Sequence, residues 1–183
     1  QSPNYLLNLL IVCGIILSGW IGLFQFRTET HVLNGLRARQ KSQWKSLIRE
    51  VDKANSTFFP LDHTATPLLW YRGVANFSLD NMDTAFRDFQ SAYQDNPNHV
   101  HVLNNLATVY EMKGNHQKAI QLYSTAIEIS PKFEDAIINL AAVQYNLGHT
   151  SEAYETIRKV DNKNNPKFLQ YMDAIQKKFG TSP

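Results

Sequence analysis

Between residues 66 and 167 the apolar and small side chains return at a fixed spacing of 34 positions. Leu69, Leu103 and Ile137 fall in one register; Gly73, Ala107 and Ala141 in a second; Ala85, Ala119 and Ala153 in a third. Phe89, Tyr123 and Ile157, then Ala92, Ala126 and Val160, complete the pattern. Small residues align with small and large apolar ones with large, as expected where one packing problem is solved three times by stacked units. The units are 66–99, 100–133 and 134–167. Within each, two helical stretches are predicted, such as 67–79 and 82–95 in the first. Asp80-Asn81, Gly114-Asn115 and Gly148-His149 mark the turn inside each pair. Pro97 and Pro131 punctuate the joints, and Pro166 stands one residue late.

The flanks follow other patterns. Tyr5 to Phe26 is a run of 22 uncharged, mostly apolar residues. As a helix it spans about 33 Å, enough to cross a bilayer core of about 30 Å, and it is predicted to be transmembrane. Residues 27–65 form a linker and an N-terminal cap, with a helix expected over 28–56 because Trp44, Leu47, Ile48, Val51 and Ala54 share one face. Ser56-Thr57-Phe58-Phe59-Pro60-Leu61-Asp62 reads as the break before the repeats. Residues 168–183 supply a C-terminal cap and tail, the closing helix running from Pro166 to Phe179 with Phe168, Leu169, Met172 and Ile175 on its apolar side. The predicted class is all-α: a transmembrane helix followed by an α-α superhelix.

Composition sharpens this picture in three places. The first 26 residues hold no Lys, Arg, Asp or Glu, so the formal charge of +2 belongs wholly to the rest of the chain. That near balance gives no reason to expect nucleic acid, which calls for a clustered basic face. A secretory signal would show a basic start and a small-residue exit, and a lipoprotein signal a small residue before Cys13; neither is present. The segment begins without Met, which points to a longer natural chain. Gly14, Ser18 and Gly22 recur on one stripe, suited to close approach of another helix or simply to glycine's frequency in membrane helices. Arg27, Arg37, Arg39, Lys41 and Lys45 against Glu29 place the flank in the cytoplasm by the positive-inside rule, with a periplasmic placement also open.

The middle unit reads Leu103-x2-Leu106-Ala107-x2-Tyr110, then Ala119-x3-Tyr123 and Pro131, and resembles the tetratricopeptide repeat. The first unit departs from that pattern at Arg72 and Asn76, the third at Gln144. The resemblance implies a groove that binds a protein or peptide segment. Its lining would be Trp70, Val74, Phe77 and Ser78; His101, Asn104, Asn105, Thr108, Glu111 and Met112; and Asp135, Ile138, Asn139, Ala142, Tyr145 and Asn146. The asparagines suit an extended backbone and the aromatic residues an apolar side chain. The alternative stays open that the cap fills Trp70 and Phe77 and that water solvates the asparagines. Family members that clamp a carboxylate terminus use Lys and Arg here, where this chain has Trp70, Val74, Asn105, Asp135 and Asn139; no clamp is expected.

No enzyme chemistry is expected. His99 and His101 diverge by about 200° on a helix and lack a ligand set, so neither a metal nor a cofactor is predicted. Asn55-Ser56-Thr57 and Asn76-Phe77-Ser78 match the short glycosylation sequon. The order of membrane helix, Phe58-Phe59-Pro60-Leu61-Asp62, Thr66-Pro67-Leu68-Leu69-Trp70-Tyr71-Arg72-Gly73 and repeats is also similar to the C-terminal part of bacterial O-antigen ligase and polymerase-like membrane proteins. That resemblance implies an accessory tail of a glycan-transferring enzyme and a bacterial inner-membrane location.

Overall fold

The computed structural model describes residues 4–55 and 59–180. Nine helices and no strand occur among them: α1 (Tyr5–Gln40), α2 (Trp44–Ala54), α3 (Leu68–Ser78), α4 (Met82–Asp95), α5 (Val100–Met112), α6 (His116–Ile129), α7 (Glu134–Asn146), α8 (Thr150–Ile157) and α9 (Pro166–Gly180). They fall into two compact units, Gln1–Asp80 and Asn81–Pro183. Residues 56–58, which carry part of the expected break and of one sequon, lie outside the described residues.

In the first unit the apolar run ends at Phe26 but the helix does not. α1 continues without interruption to Gln40, and only its second half is packed. Thr28, Val32, Gly35 and Ala38 are buried there, three or four residues apart, and face Leu47, Val51 and Ala54 of α2. Gly35 leaves room for α2; a Cβ there would stand 3.3 Å from Leu47 Cδ1. The single helix expected over 28–56 is therefore two. The chain reverses at Lys41-Ser42-Gln43, with Ser42 in the left-handed region at φ 53° and the Gln43 amide donating to the Ala38 carbonyl at 2.8 Å. One continuous helix would leave two apolar stripes uncovered, whereas the reversal buries each against the other.

Polar bonds then hold α2 and α3 in place. His31 Nδ1 lies 2.8 Å from Glu50 Oε2, and Arg72 Nη1 donates to Asp52 Oδ1 at 2.6 Å. The second contact accounts for Arg72 at a position where the repeat prefers an apolar residue. The loop into α3 is tied by Asp62, whose Oδ1 accepts from the Thr64 and Thr66 amides at 2.8 and 3.0 Å and whose Oδ2 accepts from the Tyr71 hydroxyl at 2.8 Å. Burial raises the Asp62 carboxyl, but its bonds from Thr64, Tyr71 and Thr66 outweigh that and leave it below the ordinary value. Burial, with Asp62 alongside, pushes Tyr71 up to about 12.

The second unit follows the repeat. Ala85, Phe89, Ala92, Leu103, Ala107, Ala119, Tyr123, Ala126, Ile137, Ala141, Ala153 and Ile157 are all fully buried, so the period in the sequence is a period in packing. The chain takes a left-handed step at Gly114 (φ 79°) and Gly148 (φ 87°), as it does at Asp80 (φ 62°) one period earlier. Asn96 and Ser130, each before a proline, are extended at ψ 90° and end α4 and α6. Pro166 starts α9, capped by Asn165 Oδ1, which accepts from the Lys167 amide at 3.0 Å. Phe168 and Ile175 of α9 join Ile137, Ile138, Ala153 and Ile157 in one core cluster, with Tyr171 and Met172 packed beside it. Leu169, expected on that side, is 53% exposed; the buried stripe passes through Tyr171 instead.

Candidate functional site

The first helices of the second and third repeats, α5 and α7, lie side by side, and their amide side chains meet. Asn139 Nδ2 donates to Asn104 Oδ1 at 3.0 Å, and Asn104 Nδ2 donates to Asn105 Oδ1 at 3.4 Å. Asn104 is thereby buried, while Asn105 and Asn139 stay partly open. One turn on, the Thr108 hydroxyl donates to the Asn104 carbonyl at 3.0 Å and lies 2.9 Å from the Tyr123 hydroxyl of α6. Tyr123 is fully buried, which drives its hydroxyl well above the ordinary range. Its part in fixing Thr108 was not legible in the sequence, since the repeat pattern explains Tyr123 by size alone.

Glu111 closes this row. Burial raises its carboxyl above the usual value, a shift opposed by the charge of His116, and no hydrogen bond or ion pair holds it among the described residues. A half-buried carboxylate of this kind favours a cationic or proton-donating neighbour. Asp135 and His101 are exposed at the near end, where the His101 ring meets Phe133 edge-on at 4.9 Å and His99 at 5.7 Å. Tyr145 is half-buried against the core, with Lys178 of α9 5.0 Å above its ring. Ile138, 1% exposed, belongs to the core and offers no surface. Neither α5 nor α7 contains a Lys or Arg.

In the first unit, Trp70 is 6% exposed. Arg39 of α1 stacks over it at 4.8 Å, and Tyr71 meets it edge-on at 5.0 Å. Val74 and Phe77 are partly exposed on α3. The N-terminal half of α1 is bare: from Tyr5 to Arg27 every residue but Phe24 is exposed, and the helix is long and apolar enough to cross a membrane. Around Gly14 and Gly22 a Cβ would meet nothing within 4 Å, and the Ser18 hydroxyl turns back to the Gly14 carbonyl at 2.7 Å.

Comparison with known proteins agrees with this geometry. Two tetratricopeptide repeat profiles match the chain, one over residues 64–132 and one over 112–170. The peroxisomal targeting signal receptor of Candida glabrata is 32% identical over 83 residues, which are 45% of this chain and 14% of that protein. The match thus covers a small part of the receptor's length. Among solved structures, MamA superposes with a TM-score of 0.62 at 23% identity over 82% of this chain and 81% of its own. The first tetratricopeptide domain of Spaghetti, bound to an HSP90 peptide, superposes with a TM-score of 0.60 at 17% identity over 67% of this chain and 99% of its own. At these identities the structural likeness shows the fold.

Proposed function

This chain belongs to the tetratricopeptide repeat family, and we propose that it is a membrane-tethered, non-enzymatic adaptor whose α5–α7 face holds an extended protein segment carrying a basic side chain. The observation that carries the reading is the row Asn139, Asn104, Asn105, Thr108, Glu111. Bonds among the asparagines fix their amides, yet Asn105 Nδ2 and Asn139 Oδ1 keep capacity for a peptide backbone. Glu111 supplies one acid, near His116 but in no hydrogen bond or ion pair among the described residues, and Asp135 a second, exposed one. With no Lys or Arg from either helix, and Lys178 of α9 held over the Tyr145 ring, no pair of basic side chains converges on the asparagine row as a terminal carboxylate would require. Charge complementarity therefore favours a cationic segment.

The tether is the exposed half of α1, with the Gly14, Ser18, Gly22 stripe available to a second membrane helix. The basic flank from Arg27 to Lys45 supports a cytoplasmic repeat domain. The ligase-tail resemblance gains nothing from the proteins compared above.

The test is a fluorescence-anisotropy titration of the full chain in nanodiscs with extended peptides that differ only in charge. Lys- and Arg-bearing peptides are expected to bind about tenfold more tightly than Asp- and Glu-bearing ones, about 1.4 kcal/mol, and Glu111→Gln should narrow that gap. Asn105→Ala with Asn139→Ala should weaken every peptide without unfolding the chain. Equal binding of both charge classes, or indifference to the asparagine pair, would overturn the assignment.

A further inference from the structure

Phe24 is the one residue of the apolar half of α1 that is partly covered, and what covers it comes from far along the chain. Its ring lies 5.7 Å from that of Phe59 at 34°, and 5.9 Å from that of Trp20 at 26°. Phe59 precedes the turn organised by Asp62. Its neighbour Pro60 accepts a bond from the Leu68 amide at 2.8 Å, and Leu61 bridges Pro67, so the loop is fastened to the start of α3. The three rings therefore form a patch over about one turn of the helix, with Phe59 against the Phe24 end. The level of that end is set by the sequence: Phe24 precedes Arg27, the first charged residue, by three positions, or about 4.5 Å of helix.

Trp collects at the headgroup level, and Phe beside Trp enters the headgroup–acyl boundary where a segment presents an apolar face to the membrane surface. We infer that Phe59, seated on Trp20 and Phe24, is a second membrane contact that enters the bilayer interface beside α1. The inference rests on the reading of residues 5–26 as a span, and it adds a geometric consequence. A lone helix is free to rotate about its axis and to tilt. A helix with a fastened loop on one side presents that side to the interface, so α1, α2 and α3 acquire a fixed rotation relative to the membrane surface. The loop then serves as a depth stop. It also explains why an aromatic side chain occupies a connecting segment instead of a packed helix.

The experiment uses the full chain with Cys13→Ser, a nitrobenzoxadiazole label at Phe59→Cys, and nanodiscs of phosphatidylcholine and phosphatidylglycerol containing spin-labelled lipids. Labels at Ile16→Cys and Gln121→Cys mark the span and a water-exposed helix. The Phe59 label is expected to be blue-shifted and quenched at least threefold more by lipids labelled near the headgroup than by those labelled deep in the chain; Ile16 should show the reverse preference and Gln121 neither. If Ile16 is quenched by lipid while Phe59 behaves like Gln121, the second contact is overturned and the span stands. If Ile16 also escapes lipid quenching, the span is overturned and the second contact with it. Should the label disturb the loop, seen as lost helical signal, Phe59→Trp with brominated lipids gives the same readout as extra quenching over the parent chain; no extra quenching would overturn the inference.

Discussion

In the second unit, residues at matching positions of successive repeats are buried together, from Ala85, Ala119 and Ala153 to Phe89, Tyr123 and Ile157. In the first unit the helices are joined by bonds that occur once each: His31 to Glu50, Arg72 to Asp52, and Asp62 to Tyr71, Thr64 and Thr66. Both units bury apolar stripes, α1 against α2 in the first as in the helical pairs of the second, but the first adds polar bonds that fix its loop and helices at single places, whereas the second repeats one apolar shape. Apolar burial is non-directional and tolerates repetition, whereas a buried polar bond needs both partners in place and is lost entirely when one is removed. The two units should therefore fail in different ways.

The largest effect should come from the repeated core. Phe89→Ala empties a fully buried site and is expected to cost about 3–5 kcal/mol, with hydrogen-exchange protection falling in α4–α6. A smaller but sharper loss is expected from Asp62→Ala, about 1–3 kcal/mol, because it removes the acceptor of the Thr64 and Thr66 amides and one partner of the Tyr71 hydroxyl in a buried loop. Its exchange signature should appear in α3 and leave α5–α7 protected; uniform loss would erase the contrast between the units.

Acid separates them further. Glu50 is lowered chiefly by its bond from His31, and Asp62 is lowered by its hydrogen bonds against the opposing effect of burial. A carboxyl with a depressed folded pKa contributes stability above its unfolded value and loses it as pH falls through the folded one. The first unit should thus weaken as pH drops below the ordinary values of 4.5 and 3.8. Glu111 of the second unit, half-buried, is raised by burial, so its contribution moves the other way and improves as pH falls through its folded value, while Asp95, shifted the same way, is exposed and counts for little. Asp83, lowered by Lys113, is fully exposed and counts for little. Segment-resolved hydrogen exchange at pH 6 and at about pH 3, below both ordinary values, checks this: α1–α3 amides downstream of the span should lose protection relative to α5–α7.

The smallest effects lie at the surface. Asp80 holds at φ 62° the place where Gly114 and Gly148 stand in later repeats, so Asp80→Gly should stabilise the chain by up to about 1 kcal/mol in a denaturant titration. Arg72→Leu restores the apolar residue of the pattern but breaks a partly exposed ion pair; a change within about 1 kcal/mol is expected.

What the sequence discloses follows the same division. The helices of the repeats, their turns and the closing helix are read from spacing because burial recurs at a fixed period, and a period can be counted. The reversal at Lys41-Ser42-Gln43 carries no proline or glycine and was invisible; it depends on tertiary packing of α1 on α2, as where Leu47 closes on Gly35. Leu169 was assigned to the core since it shares an apolar arc with Phe168, yet Tyr171 fills that space. At the candidate site the resemblance supplied the asparagines. The bond between Asn104 and Asn139 and the stacking of Lys178 on Tyr145 depend on tertiary distances that no residue pattern encodes.

The central claim is that the α5–α7 face is where a partner docks. The most direct measurement places a photo-crosslinking amino acid at Met112, exposed at the end of that face, or at Gln121, exposed on α6, in the full membrane-embedded chain. The account predicts a discrete adduct from Met112 that fades in Glu111→Lys, and none from Gln121. An adduct that forms equally from both positions, or only from Gln121, would contradict it.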